Sequence, residues 1–513
     1  MTSESGPLTH ARVLAVLAGV MLGLLLASLD QAIVATALPT IGGELGGIGH
    51  LSWVVTAYLL TATAATPIFG KLSDLYGRRP TFQVAIVIFI VGSALCATAS
   101  SLWALVAFRA VQGVGAGGLL SLAWAIVGDV VPPRERGRYQ GYLSAVFATA
   151  SVAGPLLGGL FVDHLSWRWV FTINIPFGIV AFVVTTVSLK VPFVPTRHKI
   201  DLLGALLLVS AVTCALLVAV WGGEEYPWTS APILLLAIAW AVLGVLFVAQ
   251  ERHAPEPLLP LRLFRDETFV LAVSISVIVG IAVFGLVVYM PLYFQVVRGS
   301  SPTVSGLLTA PLLLGIFVLS LISGRIITRW GRYRAFPIAG TVCMALGLAT
   351  LSFAVVGDRS IAVPISLALV GAGLGMSMHV MMLAAQNAVS KRDLGVTSSA
   401  VSCCRSLGSV FGVAYFSAVL NARILDYLDE LQRVPGAGDA IDAALHGQPA
   451  DLDGLPPAAR DGVVDVFAHA YQTTLRWCVP IAAVAVVLAL RLRDVPLRDS
   501  LDEDVGLEAV AVL

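Results

Sequence analysis

Residues 70–80 read GKLSDLYGRRP, and residues 324–332 read GRIITRWGR. Gly70 aligns with Gly324, Lys71 with Arg325, Gly77 with Gly331 and Arg78 with Arg332, all at one offset of 254 residues. Each segment directly follows a long apolar run. A loop that occurs once in each half of a chain points to a duplicated helical bundle, the plan of several transporter architectures. The glycines permit a tight helix-to-helix turn. The cations suit helix C-termini and acidic groups on neighbouring helices. Asp74, whose counterpart is Thr328, is suited to sit at a helix N-terminus or to accept from an arginine. Such a cluster can lock one conformation and release it in another. Positive-charge anchoring alone would account for the cations, but not for the spaced glycines or the repeat.

Composition agrees with a membrane bundle. The chain has 513 residues, 58% of them hydrophobic, with 12% charged residues and a mean hydropathy of +0.90. Soluble domains carry roughly a quarter charged residues, so this chain cannot cover two or three soluble domains with polar surface. The formal charge is zero, which offers no signal for polyanion binding. A soluble enzyme, a disordered chain and a basic nucleic-acid binder are all excluded. Fourteen apolar runs lie near 13–37, 51–70, 82–100, 102–128, 139–162, 169–189, 202–221, 231–249, 268–290, 303–324, 336–357, 361–389, 397–421 and 473–491. Each approaches or exceeds the roughly 20 residues a spanning helix needs. No alternation of the outer-membrane barrel type is present. Ala35-Thr36-Ala37 looks like a cleavage site, but the first run is too long for a signal-peptide core and is read as a retained helix.

Lys and Arg set the orientation. With the N-terminus inside, 22 of the 31 basic residues fall in or beside cytoplasmic segments, and only Arg168, Arg298, Arg359, Arg423, Arg433, Arg460 and Arg476 fall outside. Both termini are therefore expected in the cytoplasm of a multi-pass inner-membrane protein. The one long external segment, about 422–475, is acidic and broken by Pro435-Gly436 and Pro456-Pro457, and reads as a solvated connector. His446 and Asp451 in it match an acyltransferase-like spacing by chance. Cys96, Cys214, Cys343, Cys403, Cys404 and Cys478 all lie in or beside apolar runs and read as small buried hydrophobes.

Several segments carry a family resemblance. GKLSDLYGRRP resembles the cytoplasmic signature of the major facilitator superfamily. LDQAIVATALPTI (29–41), FRAVQGVGAG (108–117), GPLLGG (154–159), SWRWVFTINIPFG (166–178) and CRSLGSVFGVA (404–414) resemble, in family order, motifs of its fourteen-span drug:proton antiporters of the EmrB/QacA type. The resemblance implies an all-α fold of two six-helix bundles with two additional central helices. The corresponding parts are an N-terminal bundle at 1–190, the central helices and linkers at 191–266, and a C-terminal bundle at 267–513. It also implies a single-copy, cofactor-free exporter of small hydrophobic or cationic compounds driven by protons. Some members of the family instead move a specific metabolite, a siderophore, a host-made antibiotic or a lipid.

Deep ionisable groups in a span are costly and usually functional. Asp30 lies about seven residues before the outer end of the first run, and Arg109 about seven after the outer end of the fourth. At 1.5 Å per residue both sit roughly 10 Å from one membrane boundary, so an ion pair between them is geometrically open. Asp30 is the expected proton acceptor and cation partner, Arg109 its modulator, and Gln112 a hydrogen-bonding neighbour on the same helical face. The competing reading is a structural Asp–Arg clamp. From residue 268 onward no span interior contains an acid, so one titrating site, and neutral or monovalent cargo, is the simplest expectation. Arg405 is a candidate cavity residue. Gly70, Asp74, Gly77, Arg78 and Arg79 are candidate gating residues, as are Gly154, Pro155, Gly158 and Gly159, which are expected to form a small, kinked face at the bundle interface.

The remaining motifs read blandly. Gly113-x-Gly115-x-x-Gly118 matches a dinucleotide fingerprint, but no strand precedes it, so close helix packing is the better reading. His379 reads as a packed polar residue. Trp53, Tyr58, Trp124, Tyr289, Tyr293 and Phe294 are candidates for an aromatic wall facing flat cations, with interfacial anchoring as the competing role. No zinc-protease motif, nucleophile elbow or phosphate-binding loop is present.

Overall fold

A computed structural model describes residues 10–45, 51–189, 201–223, 225–255, 257–300, 302–356, 361–390, 393–431 and 457–497. Its helices are α1 (His10–Leu45), α2 (Ser52–Tyr76), α3 (Arg78–Ala97), α4 (Leu102–Val130), α5 (Pro133–His164), α6 (Trp169–Thr172), α7 (Asn174–Ser188), α8 (Leu202–Trp221), α9 (Ala231–His253), α10 (Glu267–Val296), α11 (Pro302–Leu308), α12 (Ala310–Trp330), α13 (Ala335–Ala354), α14 (Ala362–Ala388), α15 (Leu394–Leu431) and α16 (Pro457–Leu490). Among the described residues, fourteen spans are long and apolar enough to cross a membrane, with α6–α7 forming one and α11–α12 another. The only β pairing among the described residues is an isolated bridge between Gly222 and Tyr226, in the turn after α8.

Every apolar run of the sequence falls on one of these spans, but the helix ends differ. The stretch expected as a loop over 422–475 is helical up to Leu431 and again from Pro457. An apolar run marks the depth of lipid, whereas backbone hydrogen bonding continues into polar sequence where local pairs favour it. One such pair is Arg423 with Asp426, three residues apart at 2.9 Å. His446 and Asp451 lie outside the described residues. Caps set several other ends. Ser101 accepts from Ala104 N at the start of α4, Asp201 from Gly204 N at α8, and Asp266 from Phe269 N at α10.

The repeat seen in the loops extends to the packing. Helix α4 lies against α2 and α3, α1 against α5 and α7, and α3 against α7. In the second half α14 lies against α12 and α13, α10 against α15 and α16, and α13 against α16. Pair for pair, this is one bundle plan used twice. The repeated glycines end equivalent helices: Gly77 follows α2 with φ 91° and Gly331 follows α12 with φ 69°, a region open to glycine and strained for other residues.

Helices α8 and α9 pack on each other, and α8 also fits against α2 and α15, where Val212 and Leu216 meet Ala64 and Cys403. Helix α9 turns Leu235, Ile238 and Val245 outward, as a lipid-facing helix does. Contact between the halves runs through α2–α15, α4–α15, α5–α12 and α5–α14. Its closest crossings lie at the end that bears the repeated loops, called here the motif end. There a Cβ on Gly324 of α12 would collide with the Gly137 carbonyl of α5, and one on Gly141 would come within 3.0 Å of Ser320 O. The helices meet backbone to backbone.

Candidate functional site

The centre of the N-terminal half holds a closed polar network. Asp30 on α1, Arg109 and Gln112 on α4, Ser93 on α3 and Asn174 at the start of α7 are each no more than 1% exposed. Arg109 Nη1 donates to Asp30 Oδ2 at 2.5 Å. Gln112 Nε2 and Asn174 Nδ2 donate to Asp30 Oδ1 at 2.8 and 2.7 Å. Both amides also reach Ser93 Oγ, at 2.6 and 3.2 Å. Arg109 donates further to Gln112 Oε1 at 2.7 Å and to Val54 O at 3.2 Å. Its guanidinium carbon lies 4.1 Å from the centre of the Tyr58 ring, whose hydroxyl donates to Ala27 O. The carboxylate thus joins α1, α4 and α7, the two amides bring in α3 through Ser93, and Arg109 ties in α2. A buried charge is tolerable only when paired and hydrogen-bonded, and this one receives three side-chain donors.

The equal depth counted along the sequence is realised as direct contact between Asp30 and Arg109, with Gln112 on the same face. Asn174 and Ser93 complete the network beyond the residues that depth alone points to. Asn174 carried a signal, an amide at the entry to an otherwise apolar span, whereas Ser93 is a small hydroxyl like many others in the chain.

Helix packing explains why α4 can present these groups. A Cβ on Gly113 would strike Thr61 and Tyr58 of α2, one on Gly117 would strike the Ala62 carbonyl of α2, and one on Gly115 would come within 2.5 Å of Phe89 N of α3. The glycine-rich run therefore serves close packing.

At the motif end a second charge cluster spans the halves. Asp74 Oδ2 accepts from Val396 N at 2.9 Å, in the first turn of α15. Arg78 pairs with Asp74 and with Asp129 of α4, each at 2.5 Å, and also donates to Ser73 Oγ. Asp74 thus does both things its residue type allows: it caps a helix N-terminus across the seam and pairs with an arginine. Gly70 lies where α2 crosses α15, with Ser399 and Gly395 against it, and Arg79 is half-buried beside the cluster. Nearby, Gln386 of α14 donates to Trp124 O of α4 at 3.0 Å and to Ser398 Oγ at 2.9 Å, and accepts from Gln140 of α5 at 3.0 Å. Glu251, a buried acid missed in the sequence, accepts from Leu258 N and Leu259 N at 3.1 Å each and closes the loop after α9.

Two expectations need correction. Gly154 and Gly158 face α1 of the same half, where Ala32, Thr36 and Ile33 lie against them, while Gly159 has open space and Pro155 is exposed. The small face therefore packs α5 on α1, and the contact of α5 with the other half is made by Gly137 and Gly141. Hydropathy does not encode which way a helix is rotated, so the small residues could not be assigned to a neighbour. The aromatic candidates, likewise, do not form one wall. Trp53 clusters with Trp103 and Trp221, Tyr58 lies against Arg109, and Tyr289, Tyr293 and Phe294 pack around Phe416 and Tyr471. Only Trp124 meets a second deep cation: Arg405 Cζ of α15 lies 5.9 Å from its ring centre. His379 is fully buried, with Nε2 3.3 Å from Ser323 Oγ.

Comparisons with known proteins agree with this architecture. A family model described as Major Facilitator Superfamily matches residues 20–413. An uncharacterized MFS-type transporter of Mycobacterium tuberculosis is 39% identical over 481 residues, covering 94% of this chain and 69% of the relative. Multidrug transporter protein MdtP of Bacillus subtilis is 35% identical, covering 84% and 80%. Multidrug resistance protein 3 of the same organism is 32% identical, covering 92% and 93%. Among solved structures, the proton:xylose symporter XylE superposes with a TM-score of 0.62 at 13% identity, over 96% of this chain and 98% of that one, a likeness of fold alone.

Proposed function

The chain belongs to the major facilitator superfamily, and from that premise we propose that it is a proton-driven exporter of small hydrophobic or cationic compounds. The names of two relatives, a multidrug transporter and a multidrug resistance protein, support the cargo class. The observation that carries the coupling is the Asp30–Arg109 pair, fully buried at the crossing of four helices. A proton added to the Asp30 carboxyl removes the charge that holds Arg109, so the guanidinium contact weakens and α1, α3, α4 and α7 are free to shift. Loss of that proton restores the pair. Protonated and paired states of this network thus alternate, and proton and cargo take turns without simultaneous binding.

In this reading the motif end faces the cytoplasm of the inner membrane, as do both termini. The halves at 1–190 and 267–513 rock against each other, with 191–266 as the inserted pair. The Gly70–Asp74–Gly77–Arg78–Arg79 cluster holds the cytoplasmic seam shut, and α5 with Gly154, Pro155, Gly158 and Gly159 moves together with α1. The working unit is a single copy.

The test is transport in inverted membrane vesicles at stepped pH, using a fluorescent cation such as ethidium. Wild-type protein should accumulate the dye only while a proton gradient is present, and dissipating the gradient should release it. Asp30→Asn should abolish the gradient-driven component. Normal gradient-driven accumulation by Asp30→Asn would remove Asp30 from coupling.

A further inference from the structure

The two deep arginines differ in one respect that bears on cargo. Arg109 donates to Asp30, Gln112 and Val54 O. Arg405 has no acidic partner among the described residues, and its Nη1 is buried without a hydrogen-bond acceptor. Two other polar atoms share that condition close by. Trp124 Nε1 belongs to the indole that lies against the Arg405 guanidinium, across the seam between the halves. Ser402 Oγ lies three residues before Arg405, on the same face of α15.

The chemistry of the three groups is one-sided. A guanidinium and an indole N–H only donate, and a hydroxyl donates or accepts. Buried donors without acceptors are costly, and more so when charged. No carboxylate among the described residues answers them: Asp30 is occupied by Arg109, Gln112 and Asn174, and Asp74 and Asp129 by Arg78. A complement to this cluster must bring its own acceptors.

Resting on the export reading above, we propose that Arg405, Trp124 and Ser402 form a cargo-recognition site that favours aromatic compounds bearing a carboxylate or phenolate. The planar guanidinium fork matches a carboxylate, and the Trp124 ring supplies an apolar face with a donor at its edge. Zwitterions whose ammonium group is left in water fit this site, whereas a cation without an anionic acceptor, such as ethidium, is carried without help from these donors. Access is tied to conformation. Trp124 is fully buried here, and its carbonyl is held by Gln386, which also binds Gln140 and Ser398. Parting the motif-end seam breaks these bonds and uncovers the indole beside Arg405, so the donors meet cargo from the motif end.

A matched pair of dyes tests the site: rhodamine B, with its free carboxylate, and rhodamine B ethyl ester, which differs only in that group. The readout is the ratio of the acid's KM to the ester's KM for proton-driven uptake into inverted vesicles carrying the full chain. Wild type should favour the acid. Arg405→Gln should raise the ratio by about tenfold or more, the loss expected for a charged hydrogen bond. Arg405→Lys should fall between the two. Trp124→Phe, which keeps the ring and loses the N–H, should raise the ratio by roughly threefold. An unchanged ratio in Arg405→Gln overturns the proposal. Wild-type transport of the ester but not the acid also overturns it and leaves export standing, whereas failure of wild type to move either dye removes the export reading as well. If Arg405→Gln is not monodisperse on size exclusion, Arg405→Lys and Trp124→Phe carry the same test.

Discussion

The two halves of the molecule repeat one packing plan and carry opposite electrostatics. In the N-terminal half, Arg109 and Asp30 neutralise each other inside a network of amides. In the C-terminal half, Arg405 stands against an indole, with no acid among the described residues to answer it. The seam shows the same divergence. Where α2 reaches α15, Asp74 caps Val396 N. Its counterpart Thr328 turns its hydroxyl back to Gly324 O, and α12 meets α5 through bare glycine backbone instead. The repeat keeps what close packing requires, while the charges, which packing does not fix, differ between the halves.

The contrast between the arginines should be largest in stability. Arg109→Ala strands the Asp30 charge at zero exposure, and breaking a buried pair from one side costs about 3–5 kcal/mol. Arg405→Ala strands no opposite charge and loses chiefly its contact with Trp124, worth about 0.5–2 kcal/mol. Thermal unfolding of the two purified variants in detergent should therefore separate them clearly, with Arg109→Ala the less stable. Equal losses would mean that Arg405 has an acidic partner or that the Asp30 network tolerates a lone charge.

A smaller effect is expected at the seam. Asp74→Asn leaves Arg78 its bond to Asp129 but removes the negative charge at the N-terminus of α15, a loss of about 0.3–1 kcal/mol. That bias should favour the conformation open at the motif end. Cys403 reports it directly, because it lies in the seam with its thiol donating to Thr63 O of α2 at 3.8 Å. In a chain with the other five cysteines replaced, maleimide labelling of Cys403 should rise severalfold in Asp74→Asn. Thr328→Asn, at the equivalent place in the other half, should leave labelling near the wild-type level. Equal responses would show that the acid contributes nothing beyond the repeat.

How much of this was legible in the sequence follows from what a linear pattern encodes. Hydropathy runs fix the number of spans, and counting residues from their ends fixes depth, which is why Asp30 and Arg109 could be matched before any contact was known. Rotation about each helix axis is not encoded, because both the lipid-facing and the buried faces are apolar. That hid Ser93, the turn of Gly154 and Gly158 toward α1, and the scatter of the aromatic residues. The helical ends beyond lipid, up to Leu431 and from Pro457, were hidden for a related reason: polar sequence outside the membrane is compatible with both helix and loop. Glu251 is not legible as a buried acid because its partners are backbone N–H groups, which no residue pattern announces.

The smallest expected effect lies at the end of α1 away from the motif loops, where an ion pair in water sets the lower limit of the comparison. Arg168 donates to Glu44 Oε1 at 2.5 Å, and Trp167 Nε1 donates to Oε2 at 2.8 Å. The hydrogen bond from Arg168, then that from Trp167, holds the Glu44 carboxyl below its ordinary value of 4.5. A carboxyl held low in the folded chain stabilises it above the unfolded value, and that contribution is lost as pH falls through the folded value. The side chains are 36% and 50% exposed, so solvent screens the pair and its worth is less than about 1 kcal/mol. Glu44→Gln should therefore lower the unfolding temperature only slightly at pH 7, and the gap to wild type should close as pH drops below the ordinary glutamate range. A gap as large as that of Arg109→Ala would mean that burial is not what separates the two pairs, and the contrast between a compensated interior and a solvated rim would fail with it.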